Sequence, residues 1–292
     1  MNSAVLLQHD DSFGPGRLIP LLRDYGIPTQ IRKLHKGDEV PRSPGEARML
    51  ILLGGTMRVN DVVGKLPFVD QEIAIAKQFI ERDLPIIGIG FGSELLALAG
   101  GGKVSLLARQ PLPPKVPPSP QSPQSPPSPA SPDSTETPPP PAPPTPTPEL
   151  GWHPVSFPFP GGTEPIVFGM VDGTPFFHWH FDQYTLPALP PPAVMPPPPA
   201  RPPTGNATMA SSKLNRTQAW RFKNSVFGFH FHFELERQQI EEFIAKESGT
   251  INSALGGEAI EKMKLDTASL YPRYERAGEK LTRNLVQFLK AY

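Results

Sequence analysis

The sequence has no cysteine among its 292 residues. This absence excludes disulfides, thiolate metal ligands and a thiol nucleophile, and it leaves the redox compartment undetermined. An excess of charge of one sign is also missing, because 28 Lys and Arg residues balance 28 Asp and Glu residues. The chain therefore has no net positive charge that would attract nucleic acid or anionic lipid.

Long apolar runs are missing as well. The opening stretch MNSAVLLQHDDSFGPG has only a short apolar run and no basic segment before it, unlike a secretory signal. No later run reaches the roughly 20 apolar residues that cross a bilayer. We therefore expect a cytoplasmic protein with neither a membrane nor a nucleic-acid partner.

Proline, in contrast, is abundant, with 42 residues. Most of them lie in two segments, 111–148 and 187–203, which contain few large apolar side chains. Such segments cannot bury enough surface to offset their ordering entropy, so we expect disordered polyproline II insertions. They are either tolerated surface insertions or ligands for the aromatic grooves of a partner protein. Residues 1–110 and 149–292 would then be two parts of one domain.

Outside these segments the pattern is that of an α/β fold. Apolar runs typical of buried strands occur at 4–8, 29–34, 48–53 and 85–89, and helical periodicity occurs at about 16–25, 68–82 and 93–102. Alternating strands and helices predict a doubly wound, mostly parallel sheet with helices on both faces. The segments WHPVSF, PFFHWHF, TQAWRFK and VFGFHFHF predict further strands, and helices follow from residue 235.

The stretch PIIGIGFGSELLALAGGGKV reads as a buried strand, a tight glycine turn and a helix. With LLQHDDSFGPGRLIPLLRDYGI, LLGGTMRVND, ELGWHPV, FHWHFDQYTLP and VFGFHFHFELE, it resembles the class I glutamine amidotransferases in its motifs and their order. The stand-alone branch related to GMP-synthase glutaminases is the most similar. The resemblance implies a flavodoxin-like fold and hydrolysis of glutamine, with glutamine or a related metabolite as ligand and no cofactor.

When the family pattern is transferred position by position, the position of the nucleophile falls on a residue without a reactive side chain. The family pattern Gly-x-Cys-x-Gly places its cysteine at Gly90, and its catalytic histidine and carboxylate at His232 and Glu234. Since glycine has no atom that attacks an amide carbon, we expect no glutaminase activity and a binding or regulatory role. The resemblance also implies an oxyanion hole and substrate pocket, formed by Gly54, Gly55, Phe91, Glu94, His180 and His230.

Besides Gly90, three further positions depart from the family pattern. Glu94 and His230 stand where the family has glutamine, and Phe233 stands where it has proline. A hydrolase with a different nucleophile stays open as an alternative, with Ser93 as the nearest hydroxyl in the sequence. Gly88 to Gly92 do not complete a dinucleotide-binding pattern, because Ser93 takes the position of the last glycine.

A metal site is the other alternative. Four of the seven histidines form two His-x-His pairs, His178 with His180 and His230 with His232. Residues two apart on a strand face the same side, so two neighbouring strands would offer up to four imidazoles to zinc, iron or copper. Otherwise His180 and His232 would be remnants of the ancestral site, and His178 and His230 would be polar fillers.

Overall fold

The structure, a computed structural model, describes residues 3–107, 147–186 and 206–290. The strands in these ranges are β1 (Ala4–Gln8), β2 (Thr29–Lys33), β3 (Met49–Leu52), β4 (Ile86–Ile89), β5 (Lys103–Leu106), β6 (Glu149–Val155), β7 (Thr174–His180), β8 (Asp182–Thr185), β9 (Ala207–Ala210), β10 (Ala219–Phe222) and β11 (Val226–Phe229). The helices are α1 (Leu18–Asp24), α2 (Val59–Val62), α3 (Pro67–Glu81), α4 (Phe91–Ala99), α5 (Arg237–Lys246), α6 (Ser248–Leu255) and α7 (Glu258–Lys290).

The central sheet has the strand order β2-β1-β3-β4-β11-β10-β9. The first five strands are mutually parallel, whereas β10 runs antiparallel to both of its neighbours. Two antiparallel pairs, β5 with β8 and β6 with β7, lie outside this sheet. The prediction of a mostly parallel sheet flanked by helices is confirmed.

Each face of the sheet is covered by its own apolar layer. Along β3, Met49 and Ile51 pack into one layer and Leu50 and Leu52 into the other, because successive side chains of a strand point to opposite faces. One layer includes side chains of α1, α5 and α7 and of the β6–β7 pair, and the other includes those of α3 and α4. Burial on both faces explains why the central strands are continuous apolar runs.

The predicted elements differ from the observed ones mainly at their ends. The segment VFGFHFHF does not form one strand, because β11 ends at Phe229. Beyond it the chain leaves the sheet and touches β7 through an isolated bridge between Phe177 and His232. The glycine turn and its helix start earlier than predicted, since α4 begins at Phe91.

The two proline-rich segments lie almost entirely outside the described residues, so their disorder stays a prediction. The described residues that flank the first segment meet, because the Thr147 backbone N–H donates a hydrogen bond to the Leu107 carbonyl at 3.0 Å. The two described ends that flank this segment therefore lie side by side. Among the described residues, no helix is both long enough and apolar enough to cross a membrane.

Candidate functional site

Gly90 alone forms the turn between β4 and α4. Its backbone has φ +53° and ψ −123°, a conformation that glycine adopts without the steric cost a side chain would bring. The Gly90 N–H donates to the Phe229 carbonyl at 2.8 Å, which ties the turn to β11. The chain therefore makes a sharp strand-to-helix turn, the elbow, that has no side chain at its centre.

His232 and Glu234 form a buried pair beside this turn. The His232 Nδ1 lies 2.7 Å from Glu234 Oε1, and the other carboxylate oxygen accepts the Phe233 backbone N–H at 2.9 Å. A proton on Nδ1 leaves the Nε2 lone pair free, and this atom is buried without a hydrogen-bond partner among the described residues. With the proton on Nδ1, the Nε2 lone pair faces the space beside Gly90, which is the orientation that a general base at this turn would need.

The His232 ring occupies the space that a nucleophilic side chain would need. A Cβ added to Gly90 would lie 2.8 Å from both Cε1 and Nε2 of His232, closer than real Cβ contacts come. A Cβ at Gly54 would also meet Cε1 of this ring. The ring is stacked on Phe13 at a centroid distance of 4.6 Å, which fixes it from its other side. The imidazole thus lies directly between the two glycines.

Ser93 does not serve this turn as a nucleophile in the described geometry. Its hydroxyl donates to the Gly90 carbonyl at 2.7 Å within the first turn of α4, and the residue is fully buried. The hydroxyl proton is therefore already used in closing the elbow, and the oxygen lies inside the helix.

His9, which the sequence did not single out, supports the glycine loop at Gly54 and Gly55. Its Nδ1 donates to the Gly54 carbonyl at 3.1 Å, and its Nε2 lies 2.8 and 2.9 Å from the two oxygens of Glu72. Both side chains are fully buried. Burial by itself would lower the pKa of His9, but the Glu72 carboxylate and the backbone carbonyls outweigh this effect and raise it. The hydrogen-bonded pair of His9 and Glu72 therefore holds the loop that faces the elbow.

A small cleft lies beside the elbow. Four of the predicted pocket residues line it, Gly55, Phe91, Glu94 and His180, together with Thr56, Met57, Arg58, Trp179, Phe181 and Asp182. Arg58 partly closes it, because its guanidinium binds both carboxylate oxygens of Asp182 at 3.1 and 3.2 Å. The cavity volume is about 10 Å³, which is close to the space that one water molecule needs.

Glu94 and His230 lie together behind this cleft. His230 Nε2 is 2.9 Å from Glu94 Oε1, while Asn215 donates its amide N–H to His230 Nδ1 at 3.2 Å. Burial and the nearby Asp182 raise the pKa of Glu94 well above its ordinary value, and burial lowers the pKa of His230. Burial therefore favours the neutral form of both groups, and Glu94 lies where the resemblance implies a glutamine.

The four histidines of the predicted metal site do not converge. His180 and His230 are stacked with centroids 3.7 Å apart, but the ring nitrogens of His230 bind Glu94 and Asn215, and His232 faces the elbow. Only His178 and His180 direct nitrogens at each other, and the third group within reach is Glu149, which sequence reasoning missed. The cross-strand register that places Glu149 there is not visible in the sequence.

Comparison with known proteins gives the same fold. Residues 16–126 match the family model of class I glutamine amidotransferases. Over 287 residues the chain is 21% identical to the glutamine amidotransferase-like protein YfeJ of Salmonella typhimurium, covering 97% of this chain and 96% of that protein.

Two solved structures are similar over almost the whole chain. A glutamine amidotransferase from Thermotoga maritima has a TM-score of 0.67 at 17% identity, covering 99% of this chain and 98% of that one. A glutamine amidotransferase from Methylobacillus flagellatus has a TM-score of 0.69 at 19% identity, covering 99% and 95%. The matched segment contains the glycine loop and the elbow, and the fold that the chain shares with these two solved structures extends over almost its full length.

Proposed function

We propose that this protein does not hydrolyse glutamine and uses the amidotransferase-like fold as a binding or regulatory protein. The observation that carries the proposal is the elbow itself. Gly90 offers no attacking atom, the chain has no cysteine, and the His232 ring lies in the volume of the missing side chain. A general base without a nucleophile to activate cannot start acyl transfer.

The cleft supports the same proposal. A cavity of about 10 Å³ holds roughly one water molecule, whereas small-molecule sites typically enclose about 300–1,000 Å³. The Arg58–Asp182 pair borders this cavity and would have to move before glutamine could enter. These dimensions favour a role that depends on the protein surface, with the proline-rich segments as candidate tethers to a partner protein.

The direct test is ammonia release from glutamine by the unmodified protein. We expect a rate equal to that of the heat-denatured sample, and no rise in melting temperature with glutamine or glutamate. Glutamine turnover abolished by His232→Ala would contradict the proposal and would support the alternative of a different nucleophile. Ser93→Ala then tests whether the Ser93 hydroxyl is that nucleophile.

The Gly90→Cys variant tests whether the remaining groups still form a triad scaffold. The new thiol would lie against His232 Nε2, and an adjacent imidazolium lowers the pKa of a thiol. We expect its thiolate absorbance to titrate at lower pH than that of the exposed Ser253→Cys, a matched single cysteine in this cysteine-free chain. An equal or higher titration pH would show that His232 does not act on residue 90.

The Gly90→Ala variant distinguishes the steric cost of a Cβ at residue 90 from the effect of the thiol. Both substitutions at residue 90 add a Cβ at positive φ against the His232 ring, so both should lower the free energy of unfolding by about 1–3 kcal/mol or more. Equal losses in the two variants would assign the cost to the Cβ. An unchanged stability in both would contradict the elbow geometry.

A further inference from the structure

Three buried side chains from two paired strands converge beside the cleft. In the antiparallel β6–β7 pair, Glu149 lies directly opposite His180, and Gly151 lies opposite His178. Directly opposed residues project to the same side of a two-stranded sheet, as do residues two apart on one strand. The register therefore places Glu149, His178 and His180 together, although 28 or more positions separate Glu149 from the histidines in the sequence.

The three ligand-type atoms have the spacing of a metal coordination sphere. His180 Nε2 is 3.2 Å from Glu149 Oε2 and 3.4 Å from His178 Nδ1, and the third side of the triangle is 3.9 Å. The circle through three atoms at these separations has a radius of about 2.0 Å, which is close to the Zn–N and Zn–O distances in proteins. A single ion would therefore fit among them with almost no movement of the side chains.

Hydrogen bonds orient the cluster in the manner of a metal site. His180 Nδ1 donates to the Asp182 backbone carbonyl at 3.2 Å, which directs the lone pair of Nε2 toward Glu149. Such a bond to the second ring nitrogen is the usual support of a metal-bound histidine. Gln218 Nε2 supports the carboxylate by donating to Glu149 Oε2 at 2.6 Å.

The cluster is short of positive charge. The three side chains are at most 1% exposed, and His178 Nε2 and Gln218 Oε1 have no hydrogen-bond partner among the described residues. A carboxylate oxygen and an imidazole lone pair 3.2 Å apart repel each other unless a cation or a proton lies between them.

We propose that Glu149 Oε2, His178 Nδ1 and His180 Nε2 bind one Zn²⁺ ion. Two imidazoles and one carboxylate form a three-ligand zinc set, and a fourth position stays open for water. His180 also borders the cleft, which gives the ion a route of entry. Because Gly90 and Glu234 take no part, the proposal is independent of whether the protein hydrolyses glutamine.

The first test uses the unmodified chain with any affinity tag removed. We expect about one equivalent of zinc per chain by elemental analysis, removal of this zinc by a chelator, and a fall in melting temperature that added zinc reverses. Titration of the metal-free protein with Co²⁺ should give a visible absorption band that saturates at one equivalent. Less than about a tenth of an equivalent of zinc, with no Co²⁺ band, would overturn the proposal and leave a shared proton as the occupant.

Matched variants locate the ion. Glu149→Gln preserves the shape of the side chain and still accepts the Gln218 hydrogen bond, while it removes the ligand charge. We expect Glu149→Gln and His178→Gln each to weaken Co²⁺ binding by at least about tenfold. The control is His35→Gln, which removes a histidine that is paired with Asp11 and is far from the cluster in the sequence. This variant should bind Co²⁺ as the unmodified protein does. Unchanged Co²⁺ affinity in a folded Glu149→Gln protein would contradict the site. If neither cluster variant folds, the stoichiometry and the Co²⁺ band of the unmodified chain decide.

Discussion

His9 shows how much a single residue depends on its partner. The ring lies between Glu72 and the Gly54 carbonyl with no exposure of either side chain to solvent. Its raised pKa means that the folded protein holds the proton more tightly than the unfolded chain. The resulting stabilisation is complete below pH 6.5, the ordinary value, and is lost as the pH rises through the raised pKa.

We predict that Glu72→Gln lowers the free energy of unfolding by about 3–5 kcal/mol, because it leaves one member of a buried ion pair without its counter-charge. The difference from the unmodified protein should be largest below pH 6.5 and should shrink at higher pH, where both proteins hold a neutral His9. Urea unfolding measured at a series of pH values, from about pH 5 upward through the ordinary titration range of histidine, tests this. Asp11→Asn, which removes an exposed partner of His35, serves as the control and should change little. A pH-independent loss in Glu72→Gln would show that His9 is not charged.

Among the elements, helix α7 packs against the segment that contains His232 and Glu234. It crosses the segment that follows β11 so closely that a Cβ at Gly278 would meet the Phe233 carbonyl oxygen and the Arg17 guanidinium. The same guanidinium donates to the Leu235 carbonyl at 2.6 Å and lies over the Tyr274 ring. The backbone on either side of Glu234 is thus held by one helix and one arginine.

Gly278→Ala should therefore destabilise the protein by about 1–3 kcal/mol through overpacking, although alanine is the better helix former. Gly249→Ala in α6 is the matched control, because a Cβ there has open space and should stabilise the protein by about 0.4–1 kcal/mol. Thermal unfolding should therefore show a lower melting temperature for Gly278→Ala and a higher one for Gly249→Ala than for the unmodified protein. A gain in stability from both substitutions would show that α7 does not press on this segment.

At the scale of the whole molecule, the described residues on either side of the first proline-rich segment belong to one fold. Leu107 and Thr147 are joined by a backbone hydrogen bond. Both sides of the segment contribute strands to the central sheet, β1 to β4 before it and β9 to β11 after it. The two parts should therefore behave as one cooperative unit.

We predict that replacing residues 109–145 with a short Gly-Ser linker preserves a single unfolding transition. A shorter loop costs less closure entropy, so the free energy of unfolding should rise slightly, by no more than about 2 kcal/mol. Calorimetry on the unmodified and shortened chains measures the difference. A shortened chain that aggregates or unfolds in two steps would show that the segment contributes contacts to the domain.

The sequence by itself determined where the central strands lie and that the chain has no thiol nucleophile. Continuous apolar runs such as residues 48–53 predict buried parallel strands, because both faces of a central strand must be apolar. The absence of cysteine and the glycine at position 90 exclude a thiol nucleophile through residue identity alone. These conclusions need only local periodicity and residue chemistry, which the sequence states directly.

Only the tertiary structure decided which polar groups meet. His9 pairs with Glu72 across 63 positions, and Glu149 joins His178 and His180 through the register of β6 and β7. The sequence also suggested that all four paired histidines face one site, whereas the ring nitrogens of His230 bind Glu94 and Asn215 and His232 faces the elbow. Strand register and the packing of distant segments depend on contacts summed over the whole core, and no local pattern encodes them.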